Sequence, residues 1–119
     1  MGPIQNDGNR PFAIGVNLMQ WLPIIAIDAL GPGERYMTMI KGYAVVIVNE
    51  AGQFYAFEDN CPHQGLPISD GTIEQQEIEC PFHGAKFSII TGEVRCPPAF
   101  DNLTVFEVKT MAGMVHIQL

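Results

Sequence analysis

A chain of 119 residues is one domain's worth, enough for a modest core but not for a core and a large substrate cavity together, which favours a carrier over a catalyst. With 13 acidic against 6 basic residues and a formal charge of −7, the chain is a poor partner for nucleic acid or an anionic membrane. Three cysteines cannot all pair, so no disulfide framework is expected and a reducing cytoplasm fits.

The N-terminus has no secretory pattern: its first ten residues are polar with Gly and Pro. The most apolar window, residues 12–30, is broken by Asn17, Gln20, Pro23 and Asp28 and makes a poor membrane span. Residues 1–20 are read as an N-terminal extension, partly mobile, and 21–119 as the folded domain. From Trp21 onward the chain reads as short strands separated by turns. Residues 22–27 form a first strand, and Gly31-Pro32-Gly33 a turn that no helix tolerates. Strands over 35–40 and 43–49 flank Lys41-Gly42, a tight hairpin, and a turn at 49–52 leads into 53–58. The run Tyr43-Ala44-Val45-Val46-Ile47-Val48 is apolar on both alternate faces, which predicts a strand buried on both sides at the centre of the core. A small hairpin of 72–74 and 77–79 follows the Asp70-Gly71 turn, and strands over 86–90, 94–95, 103–109 and 114–119 complete an all-β pattern.

Within this pattern, Cys61-Pro62-His63 and Cys80-Pro81-Phe82-His83 are separated by sixteen residues. Each short segment supplies one thiolate and one imidazole, and a proline directly after each cysteine limits the entropy lost when metal binds. Cys61, His63, Cys80 and His83 are therefore the candidate metal ligands. A Cys₂His₂ set also suits structural zinc, and a zinc-stabilised interaction module is one reading. Zinc sites, however, usually place their paired cysteines two to four residues apart rather than one Cys and one His per loop.

The spacing resembles the Rieske signature, and the likeness extends from Trp21 to the C-terminus. Gly65 and Gly84 stand where the family carries glycines after each ligand histidine. Ser69-Asp70-Gly71 matches the usual turn after the first loop, Thr91-Gly92 the Thr-Gly turn, and Cys96-Pro97-Pro98 the covering proline loop. The resemblance implies a Rieske fold: an antiparallel β-sandwich base with a small cluster-binding subdomain, about 60–98, made of two ligand loops and the proline loop. It implies one [2Fe-2S] cluster, with Cys61 and Cys80 on one iron and His63 and His83 on the other. Two thiolates and two neutral imidazoles leave the oxidised cluster uncharged, where four thiolates would leave it dianionic, so an electron is added more easily than to an all-cysteine cluster.

Departures from the membrane-complex branch of the family are informative. The disulfide that joins the ligand loops there would fall at Leu66 and Phe82, and the hydroxyls that raise the potential would fall where Ala85 and Phe87 stand. The chain thus looks like the soluble Rieske-type ferredoxins of bacterial ring-hydroxylating dioxygenases, which are electron-transfer components rather than enzymes. That resemblance implies a flavoprotein ferredoxin reductase and a terminal oxygenase as partners, both docking at the His63/His83 tip with Gln64, Pro97 and Pro98 at its rim, and a monomer in isolation. A Rieske small subunit of an enzyme such as nitrite reductase is the alternative. Leu66 and Phe82 are expected to pack against each other in place of the disulfide.

Other residues carry ordinary expectations. Cys96 reads as a lone inert thiol and His116 as a solvent-facing histidine that shares a strand face with Met114 and Gln118. Trp21, Phe54, Tyr55 and Phe57 read as packing residues, and Glu74, Glu77 and Glu79 as a solvated hairpin.

Overall fold

A computed structural model describes residues 20–62, 65–82, 84–96 and 101–119. Among these, β1 (Trp21–Ala26) is followed by a single 3-10 turn, Ile27–Ala29, and then by β2 (Arg35–Ile40), β3 (Tyr43–Glu50) and β4 (Gln53–Glu58). Next come β5 (Ile73–Glu74), β6 (Glu77–Glu79), β7 (Lys86–Ser88), β8 (Val94–Cys96), β9 (Val105–Phe106), β10 (Val108–Met111) and β11 (Met114–Gln118). They build three antiparallel sheets with strand orders β1-β11-β10, β2-β3-β4-β9 and β5-β6-β7-β8. The all-β expectation holds.

The alternation of apolar residues along β3 explains how the layers stack. Val46 and Val48 join Phe57 of β4 in one core with Ile78 and Phe87 of the loop-bearing sheet and Ile89 just beyond it. Val45 and Ile47 point the other way and join Ala56, Val115 and Ile117 against the three-stranded sheet. One sheet thus separates two cores, because successive side chains of a strand face opposite sides. Phe54 packs on the second core and Tyr55 and Phe57 on the first, so these aromatics are packing residues as expected. The β2–β3 hairpin turns on Lys41 and Gly42, both at positive φ (51° and 84°), the conformation of a type I′ turn.

Three local expectations change. The strand expected over 103–109 divides at Glu107: Val105 and Phe106 pair with β4, and the chain then crosses to the other sheet, where Val108 pairs with Ile117. The strand expected over 86–90 stops at Ser88, whose Oγ accepts hydrogen bonds from the amides of Ile90 and Thr91, both at 3.1 Å. His116 is not solvent-facing but 7% exposed. It lies on the middle strand of a three-stranded sheet, opposite Pro23 and Lys109, and the Lys109 Nζ reaches over β11 to within 4.3 Å of the Trp21 ring centre. Polarity alone suggested a wet face. The lysine stem and its cation–π contact close it, and the His116 Nδ1–H donates to the Met114 carbonyl at 3.2 Å. The ladder also reaches one residue beyond β1, as Gln20 and Leu119 exchange both backbone bonds at 3.1 Å.

Candidate metal centre

Both cysteine segments fold into the same hydrogen-bonded loop. In the first, the Cys61 amide donates to the Leu66 carbonyl at 2.7 Å and the Gly65 amide to the Cys61 carbonyl at 2.6 Å. In the second, the Cys80 amide donates to the Ala85 carbonyl at 2.7 Å and the Gly84 amide to the Cys80 carbonyl at 3.0 Å. Each loop therefore runs from a cysteine to the fifth residue beyond it, with a glycine at the fourth. Those glycines sit at φ +71° and +77°, a left-handed conformation in which a side chain is strained, so the loop closes readily only with glycine there.

The cysteine that opens each loop is set into the core. Cys61 and Cys80 are 0% and 1% exposed and belong to the same packed cluster as Val46, Phe57 and Phe87. Ala85 and Phe87 are fully buried beside them and bring no hydroxyl to this environment. His63 and His83, the other two expected ligands, lie outside the described residues, as do Gln64, Pro97 and Pro98 of the expected rim. What is described fits a two-iron cluster: two buried soft donors on loops closed by the same hydrogen bonds, with those backbone amides committed to fixing the loop ends.

The expected Leu66–Phe82 pair lies at the surface. Leu66 is 36% exposed and Phe82 51%, so the pair forms no buried staple. The joint is made instead by the turn at residues 68–71, which leaves the first loop. The Asp59 Oδ1 accepts the amides of Ile68 and Ser69 at 2.7 and 2.8 Å, and the Arg35 Nη1 donates to the carbonyls of Ser69 and Gly71 at 2.5 and 2.8 Å. Gly71 then lies directly on the residue before Cys80: a Cβ placed there would stand 2.1 Å from the Glu79 carbonyl oxygen, and the Glu79 amide donates to the Thr72 carbonyl at 2.9 Å. Nothing local in the sequence marks Arg35 or Asp59 for this task. An arginine at the start of an edge strand and an aspartate two residues before a cysteine read as ordinary surface charges.

Behind the loops, the segment that leads into residues 97–100 is clamped at its root. The Leu103 amide donates to the Gly92 carbonyl at 2.7 Å, and the Val94 amide to the Asn102 Oδ1 at 3.1 Å. Cys96 ends β8 opposite Lys86, with its side chain half-buried. Glu77 faces the Arg95 guanidinium at 3.8 Å, so the acidic hairpin is solvated but not unpaired. A surface groove of ≈ 570 Å³ runs past Ile27, Phe54, Val108 and Lys109 on the base and collects no group of titratable residues. Among the described residues, no helix is long and apolar enough to cross a membrane.

Comparison with known proteins agrees with this geometry. Residues 20–107 match the model of the Rieske [2Fe-2S] domain. The ferredoxin CarAc of Metapseudomonas resinovorans is 39% identical over 98 residues, which cover 82% of this chain and 92% of that protein. The ferredoxin component of the naphthalene 1,2-dioxygenase system of Pseudomonas aeruginosa is 30% identical over 100 residues, 84% of this chain and 96% of that one. Among solved structures, a chain from a complex of reduced oxygenase and oxidised ferredoxin in carbazole 1,9a-dioxygenase superposes with a TM-score of 0.74 at 35% identity, covering 82% of this chain and 91% of that one. Such relatives match nearly end to end and are electron carriers rather than catalysts. With two buried cysteines in matched loops and a family match over most of its length, the chain belongs to the Rieske [2Fe-2S] family, as a ferredoxin that carries electrons on a Rieske-type cluster.

Proposed function

We propose that the protein is the ferredoxin of a bacterial aromatic-ring-hydroxylating dioxygenase system, working in the cytoplasm as a monomer between a flavoprotein reductase and a terminal oxygenase. Cys61 and Cys80 hold one iron, and His63 and His83 hold the other. The observation that carries the reading is the pair of equivalent loops, each burying one cysteine and each followed in sequence by one histidine. When bound, the cluster supplies reversible one-electron chemistry.

The chain's own residues do the rest. Cys61 and Cys80 would hold one iron from within the core, where their burial keeps water from the sulfurs. Electrons enter and leave through His63 and His83, the ligands that a partner meets. Leu66 and Phe82, exposed on the two loops, supply apolar area that a docking protein can cover. Reductase and oxygenase thus take turns at one tip, and the −7 charge speeds encounter with basic docking sites.

Replacement of any one of Cys61, His63, Cys80 or His83 by alanine abolishes or severely depletes the red-brown colour and the anisotropic spin signal of the reduced protein. One zinc per chain with no acid-labile sulfide in the wild type overturns the assignment.

A further inference from the structure

The turn at residues 68–71 follows the first cysteine loop and rests on Glu79, the residue before the second, and its backbone is nearly fully committed. Ile68 and Gly71 are buried, and Ser69 is 9% exposed. The amides of Ile68 and Ser69 go to Asp59, the Gly71 amide closes the turn on the Ile68 carbonyl at 2.9 Å, and the carbonyls of Ser69 and Gly71 go to one atom, the Arg35 Nη1. Buried backbone groups must be paired, so without Arg35 two carbonyls are left to open toward water. Gly71 rests on the Glu79 carbonyl, so that opening is transmitted to the residue next to Cys80.

Arg35 is unusual in a second way. It is half-buried, and among the described residues its side chain bonds only to carbonyl oxygens; no carboxylate pairs with it. A side chain that needed only to be soluble would not be held there. Its two N–H groups on one nitrogen match two carbonyls that no apolar residue could satisfy, and its charge stays fixed at the turn that leaves the first loop.

We propose that Arg35 is a positioning residue that stands in for a covalent link between the ligand loops: it pins the turn at residues 68–71 between β2 and Glu79, and thereby governs how long the cluster is retained and biases its potential upward. The inference rests on the cluster reading above for its redox consequences, but the brace itself belongs to the polypeptide.

The test compares Arg35→Met, which keeps the stem and loses both bonds and the charge, with Arg35→Lys, which keeps the charge on a shorter, non-planar donor. Met37→Gln, at an exposed neighbour on the same strand, serves as control. Three quantities are read: the rate at which the visible band bleaches on mild heating, hydrogen exchange at the Ile68, Ser69 and Gly71 amides, and the midpoint potential. The Met variant loses colour about tenfold faster or more, as expected when charge-assisted hydrogen bonds are removed, exchanges those amides faster, and moves to a more negative potential. The Lys variant recovers the potential but only part of the lifetime. A Met variant that matches the Met37→Gln control in all three readouts overturns the proposal. So does a Lys variant identical to wild type in lifetime and exchange, because charge alone then accounts for the residue; this comparison stands even if the Met variant does not fold. A wild type without iron and sulfide would instead refute the cluster assignment, and the exchange measurement would still report on the brace.

Discussion

Gly71 shows how much a single position decides here. Its backbone is not at positive φ, so the demand for glycine comes from space alone: an added Cβ meets the Glu79 oxygen at 2.1 Å and the Ile78 Cγ1 at 3.0 Å. Neither backbone nor a fully buried isoleucine yields easily, and overpacking of this kind costs about 1–3 kcal/mol. Gly71→Ala is therefore expected to lower stability by at least that range in denaturant unfolding, and to bleach faster than wild type at temperatures where the fold survives. Ala at Gly33, where nothing lies within 4 Å, perturbs only its own turn and leaves the cluster's lifetime unchanged. His116 makes the complementary point. Three of its neighbours, Lys109, Trp21 and Pro23, come from other strands, and they turn an exposed face into a covered one.

At the level of elements, β3 is the wall between two cores, and its two faces should respond differently to truncation. Ile47→Ala empties the base-side core and is expected to cost about 2–5 kcal/mol in global unfolding while the potential and spin signal of the intact protein stay as they were. Phe57→Ala, from the adjoining strand, empties the side on which Cys61 and Cys80 are packed; it is expected to cost about 3–5 kcal/mol and also to broaden the spin signal. Chemical denaturation with spectroscopy on the undenatured samples separates the two. Equal spectroscopic change in both variants would show that the wall does not insulate the site.

For the whole molecule the governing quantities are charge and potential. Without hydroxyl donors at Ala85 and Phe87, the midpoint is expected near the low end of the Rieske range, about −150 mV rather than +300 mV, and redox titration checks it. Electron transfer to an oxygenase is expected to slow steeply with added salt if its docking site is basic, because the chain's −7 charge is then screened over a Debye length of about 10 Å at 0.1 M. If both partners use the tip, excess oxidised oxygenase should inhibit reduction by the reductase competitively. Stopped-flow mixing in which both partners bind together without loss of rate would refute the shared tip.

Much of this was legible before any coordinates. Short apolar alternations bounded by Gly, Pro and Asn are local signals, so β2, β4 and β6 fall where the residues alone placed them, and the two-sided apolar run over 43–48 announced a central strand. The two cysteine segments identify themselves by composition and spacing, because metal ligation needs particular atoms and a short loop to present them. What only the tertiary structure decided are properties that depend on residues distant in sequence. The alternation of β3 marked it as buried twice, but not that two separate cores lie on either side. The residues at the disulfide positions suggested a Leu66–Phe82 contact, yet both are exposed, and the loops are joined by backbone groups held by Arg35, some 34 and 36 positions away from the carbonyls it serves. Side-chain chemistry is written into a sequence, whereas the pairing of one backbone carbonyl with one guanidinium across a fold is not, since every residue carries the same carbonyl.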